Sequence, residues 1–216
     1  MLVAVGAAPR LLRQAGVDPA AVALAAGIDP KLFADPAAMI SFTALDGYLV
    51  ECVRATDCGH FALLLGAEEG FANLGMVGRL VEHSPTVASA LSNLSANFHH
   101  YELGATVTLV AEDDTAALEY SIEQRVSAPE LIADGAMAIA VGILRHMCGP
   151  LWAPTDVHLR RVRQRRSALA RGASARRPRM RAPSSSSSRL TWRTTASSGR
   201  WAARQRRSMR RSSACC

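Results

Sequence analysis

The sequence predicts an α+β domain: a helical N-terminal half, then an antiparallel hairpin and a small sheet packed on a long central helix, and finally a disordered C-terminal tail. Three observations lead there. Apolar residues recur at three-and-four spacing as far as Phe98 and switch to a period of two between Thr106 and Ile122. A run that is apolar almost all round follows, from Leu131 to Met147. The composition then breaks at Arg160–Arg161: residues 1–160 hold all 18 acidic residues and 8 Lys/Arg, a formal −10, whereas residues 161–216 hold 17 Arg and no Lys, Asp, Glu or His. The net charge of +7 describes neither part.

Residues 1–9 read as a short flexible N-terminus, and Leu11 to Ala34 as two or three short helices. The punctuation is Gly16-Val-Asp-Pro19 and Gly27-Ile-Asp-Pro30. In each, a glycine ends one helix, an aspartate caps the next and a proline takes its first position. Between Thr43 and Thr56, Leu45, Tyr48, Leu49, Cys52 and Val53 mark one face of an amphipathic helix. A short apolar helix follows from Phe61 to Leu65, then the glycine-bearing segment Gly70 to Gly78 leads into Arg79 to Glu82. Ser84-Pro85 reads as a cap and first-turn proline for a helix through Val87, Leu91, Leu94 and Phe98.

In the period-two region Val107 and Leu109 alternate with Thr106 and Thr108, and Leu118, Tyr120 and Ile122 with Ala117, Glu119 and Ser121. The acidic turn Glu112 to Thr115 joins them into a hairpin, which needs helices or further strands to be stable. Pro129-Glu130 opens the central helix, Gly149-Pro150 closes it, and Asp156 to Leu159 begins another strand. The body, residues 10–160, has the size of one domain.

Several function classes find no support in the residues. There is no GxSxG nucleophile elbow, and residues 70–78 lack the spacing, preceding strand and lysine of a phosphate loop. The expectation is a protein that is not an enzyme and uses no cofactor. His99 and His100 have no Cys, Asp or Glu at metal-site spacing beside them, and His60, His83, His146 and His158 are isolated. Glu112, Asp113 and Asp114 lack the remaining ligands of a calcium loop. No metal is expected. Cys52, Cys58 and Cys148, scattered through apolar segments without CxxC spacing, read as buried free thiols in a reducing compartment. The start of the chain has no charged leader, and the longest uncharged apolar stretch, Gly135 to Leu144, is ten residues against the about 20 that a bilayer needs. These point to a cytoplasmic protein with no membrane partner.

Taken in order, several segments resemble the N-terminal arabinose-binding-like regulatory domain of AraC/XylS-type bacterial transcription regulators. They are Leu11-Leu-Arg-Gln-Ala-Gly-Val-Asp-Pro19, Ala34-Asp-Pro36 leading to Ile40, and Gly59-His-Phe-Ala-Leu-Leu-Leu-Gly66. Leu74-Gly75 then precedes His83-Ser-Pro-Thr86 with Ala90-Leu91, and Cys148-Gly-Pro-Leu-Trp-Ala-Pro154 leads to Val157. Each landmark also makes sense as a turn or cap; their order and spacing over residues 10–160 carry the similarity. The resemblance implies a domain that binds a small-molecule effector and often forms a homodimer, joined to a pair of helix-turn-helix units. It does not make arabinose the ligand. An effector pocket is expected between helices and sheet, with His100, Tyr101 and Tyr120 as its polar lining.

The departure from the family is the segment 161–216, which shows no recognition-helix pattern and leaves no room for a DNA-binding domain. Sequence-specific DNA binding is therefore not expected of this chain. Two readings of the segment stand. Taking the third base of each codon with the first two of the next turns TCN serines into Phe, Leu, Ile or Val and CGN arginines into Ala, Pro, Ser or Thr. Pro183 to Gly199 then permits an amphipathic strand and loop, and Met209 to Cys216 a helix. A frameshift shortly after Leu159 accounts for both, and for the lost acids and the interrupted last strand. The alternative is a stand-alone nucleic-acid binder working through an Arg/Ser-rich arm that holds polyanions non-specifically.

Overall fold

The computed structural model describes residues 6–35, 40–112, 114–159 and 187–193. The N-terminal half is helical. Helix α1 (Ala8–Gln14) and α2 (Pro19–Ala25) are followed by a 3₁₀ turn at Pro30–Ala34. The repeated punctuation works as its chemistry dictates. Gly16 and Gly27 take φ of 74° and 72°, the left-handed region that ends a helix cheaply only at glycine. The Asp18 and Asp29 carboxylates each accept from the backbone N–H two residues on, at 3.0 and 2.9 Å.

Helix α3 (Phe42–Thr56) starts at Ser41, whose Oγ accepts from the Ala44 N–H, and buries Leu45, Tyr48, Leu49 and Cys52 along one face. Helix α4 (Phe61–Glu68), a 3₁₀ turn at Phe71–Leu74, α5 (Gly75–Glu82) and α6 (Val87–Asn97) complete this half. The start of α6 corrects the sequence reading. Its cap is Thr86, which forms a reciprocal capping box with Ser89. Ser84 belongs to the end of α5 instead: its hydroxyl donates to the Leu80 carbonyl at 2.7 Å and accepts from the Asn93 amide.

Strands β1 (Ala105–Glu112) and β2 (Thr115–Ile122) pair antiparallel from Ala105↔Ile122 to Glu112↔Thr115. Helix α7 (Pro129–Cys148) follows, then β3 (Asp156–His158) and β4 (Ser187–Arg193). The sheet is antiparallel in the order β1-β2-β4-β3. Strand β4 is a finding against the expected tail: Ser187–Arg193 lies beyond the compositional break yet fills the space between β2 and β3. Its alternation explains why it fits. Ser188 and Leu190 are buried, and Arg189, on the opposite face, forms an ion pair with Glu119 at 3.2 Å. Leu190 stands opposite both Leu118 and Val157. The rest of the Arg/Ser-rich segment, with Cys215 and Cys216, lies outside the described residues.

Helix α7 is long and apolar enough to cross a membrane by length and composition. Here it is the domain's central element, touching α3, α4, α6, β2 and β4 and burying Ile132, Met137, Ala140, Ile143, Leu144 and Met147. Its entry is fixed by a residue more than eighty positions earlier. The buried Asp46 carboxylate of α3 accepts from the Ser127 N–H and hydroxyl at 2.7 and 2.6 Å, and from the Ala128 N–H at 2.9 Å. A negative charge there also suits the positive end of the helix dipole. Helices α4 and α7 meet at two glycines. A Cβ on Gly66 would press into the Gly135 carbonyl oxygen and the Ala138 methyl, so the close approach requires glycine.

Candidate functional site

A cavity of about 80 Å³, counted as space open to the centre of a water molecule, lies between these helices and the sheet. One water needs roughly 10–15 Å³ on that measure, so there is room for a small organic molecule. Most of the wall is apolar: Leu45 and Leu49 come from α3, Leu65 from α4, Leu94 from α6, Phe98 from the turn that follows it, and a long face of α7 runs from Ile132 to Ile143. Gly66 and Gly135 also line it, so the tight α4–α7 contact helps to form the wall.

The polar groups gather at one corner, where the first 3₁₀ residues after α6 lead into β1. Tyr101, Glu102 and Tyr120 are the polar side chains of the lining. The Tyr120 hydroxyl donates to Glu102 Oε1 at 2.7 Å. Tyr120 sits on the same face of β2 as Leu118, which the two-residue period turns toward the helices. Phe98 packs against both tyrosines, with ring centroids 5.6 Å from Tyr101 and 6.1 Å, edge-on, from Tyr120. It braces both rings at the polar corner of an otherwise apolar space.

Of the three side chains expected to line a pocket, the structure brings Tyr101 and Tyr120 together at the cavity and leaves His100 out. His100 is exposed and lies against His99, the ring planes tilted by 45° and the centroids 3.9 Å apart. The 3₁₀ turn at Phe98–His100 is the reason. Three residues make one turn, so Phe98 and Tyr101 fall on one side and the two histidines on the others. The N–H of Tyr101 donates to the Phe98 carbonyl at 2.8 Å and closes that turn.

Glu102 escaped the sequence reading, because a glutamate next to a helix end ordinarily faces solvent. The one signal was its place between a tyrosine and the first strand. Burial pushes its carboxyl above the usual carboxylate range, against the lowering effect of the Tyr120 hydrogen bond. Burial also raises Tyr101 and Tyr120, with the Glu102 charge adding to both. The two phenols are therefore fully protonated at neutral pH, suited to hydrogen bonding and poor as nucleophiles. Among the described residues no group of three His, Cys, Asp or Glu could hold a metal ion.

Residues 16–193 match a known family, the N-terminal arabinose-binding domain of AraC transcription regulators. The match reaches past the compositional break and takes in β4. A search of curated proteins finds no match to the chain.

Proposed function

The chain belongs to the family of N-terminal arabinose-binding domains of AraC transcription regulators, and on that premise we propose that it is a cytoplasmic sensor domain whose effector occupies the cavity between α7 and the sheet. The observation that supports this most directly is the cavity itself: a largely apolar space with one polar corner, the usual form of a small-molecule site. Tyr101, Glu102 and Tyr120 orient the effector, and the apolar walls supply most of the affinity. The domain binds without catalysing, and its action on transcription passes through whatever it is joined to, including a second copy of itself.

The site spans α3, α4, α6, α7 and the hairpin, so an occupant touches helices and sheet at once. Binding therefore stiffens their mutual arrangement, a means of reporting occupancy to a partner domain. The test is a thermal-shift screen of a metabolite library on the wild type and on Ala140→Leu, which places added methyl groups in the cavity. Effectors stabilise the wild type, by about 2.7 kcal/mol at a hundredfold excess over Kd, and lose this effect in the variant. If no compound distinguishes the two proteins, the cavity is not a sensor site.

A further inference from the structure

We infer that the effector is a mainly apolar molecule with a single hydrogen-bond-donating head, an alcohol or an amine, held head-first at Glu102 and Tyr101; a sugar or an organic acid does not fit. This rests on the sensor reading above and narrows it.

The chemistry of the corner decides the head group. The Glu102 side chain uses Oε1 to accept from Tyr120, while the backbone N–H donates to the Phe98 carbonyl at 3.0 Å. Glu102 lines the cavity, and its other oxygen remains available as an acceptor. Tyr120 spends its one proton on Glu102, so it offers a ligand only a lone pair. Tyr101 can both donate and accept. The corner thus presents more acceptors than donors and matches a group that brings its own proton, such as a hydroxyl or an ammonium.

The same inventory argues against other classes. No Lys, Arg or His lines the cavity among the described residues, so a carboxylate ligand would meet the Glu102 carboxyl with no cationic side chain of the lining to offset it. A pentose carries hydroxyls around its whole ring. Three polar side chains at one end cannot partner them, and the rest would be buried against Leu45, Leu65, Met137 and Ile143 without hydrogen bonds. The family's arabinose label is therefore at odds with this chain's own wall. A compact hydrophobe fills such a wall well, and the head group then sets its direction.

Calorimetric titration of the full chain with benzyl alcohol, benzylamine, benzoate and L-arabinose separates the classes, since the first three share one ring and differ only in the head. Benzyl alcohol and benzylamine are expected to bind, benzoate at least tenfold more weakly, and arabinose without measurable heat. In Glu102→Gln, benzylamine loses at least tenfold while benzyl alcohol, which still finds an amide oxygen, changes only a few-fold. Tighter binding of benzoate or arabinose than of the alcohol and amine overturns the inference, and so does a silent panel. The wild-type ranking decides this even if the variant folds poorly. Arabinose or benzoate binding that Ala140→Leu abolishes would overturn the head-group class alone and leave the sensor reading standing.

Discussion

Replacing Asp46 by alanine should destabilise the whole domain, although the residue does not line the cavity. Its carboxylate gathers three donors at the entry to α7. Those donors do not suffer equally. Ser127 is exposed, so water can replace the lost acceptor for its N–H and hydroxyl, at about 0.5–1.5 kcal/mol each. Ala128 is buried, and its orphaned N–H costs about 1–3 kcal/mol. Allowing for water entering the space left by the side chain, the net loss is about 3 kcal/mol. With about 2–4 °C per kcal/mol for a domain of this size, Tm falls by roughly 6–12 °C. Asp46→Asn keeps one acceptor oxygen and should lose about half as much. Urea unfolding followed by circular dichroism measures both, with the m-value checking that the unfolded state is unchanged. A loss below about 1 kcal/mol in the alanine variant would show that α7 is positioned by apolar packing alone, and the account of Asp46 would be wrong.

Four further outcomes are expected. Gly66→Ala forces α4 and α7 apart against backbone and should cost about 1–3 kcal/mol in urea unfolding; an unchanged midpoint would mean the two helices slide freely. Leu190→Ala removes a fully buried side chain from β4 and should cost about 2–5 kcal/mol, whereas a neutral result would detach Ser187–Arg193 from the folded sheet. The Glu102 carboxyl is raised in the folded state, so it favours folding at pH below its unfolded value of roughly 4.3 and loses that contribution as pH rises through the folded pKa. Glu102→Gln should accordingly gain stability relative to wild type between acid and neutral pH, and a difference independent of pH would contradict the burial argument. Burial pushes the Cys52 thiol up to about 12, so maleimide at pH 8 should label it only at the rate of unfolding; rapid native labelling at that residue would place it at the surface.

Much of the fold is written in short-range patterns. The two Gly-x-Asp-Pro segments specify helix ends because glycine, aspartate and proline each act on the backbone within a few residues. Alternation gave the hairpin, and an all-round apolar inventory marked α7 as central. The misread cap at α6 shows the limit of such patterns. Ser84-Pro85 and Thr86 offer equally good chemistry locally, and the choice falls to Thr86 because Ser89 answers it while the Leu80 carbonyl and Asn93 engage Ser84.

The candidate site was legible only in part for a related reason. Tyr101 and Tyr120 could be placed near a helix–sheet junction, but whether His100 or Glu102 joined them depended on the pitch of a single 3₁₀ turn and on a hydrogen bond from a strand 18 residues away.

By itself, then, the sequence determined the elements as far as β3, their order and the family resemblance, because capping, periodicity and turn chemistry operate between near neighbours. Tertiary structure alone decided that Asp46 seats α7, that Gly66 lets α4 and α7 approach, and that Glu102 supplies part of the cavity's polar end. It also decided that a Ser/Arg-rich stretch enters the sheet as β4. A strand between two partners is held by backbone hydrogen bonds that any composition can make, and one buried leucine suffices to turn it to the core. Composition marks where the chain changes character, and the hydrogen-bond ladder sets where the sheet ends.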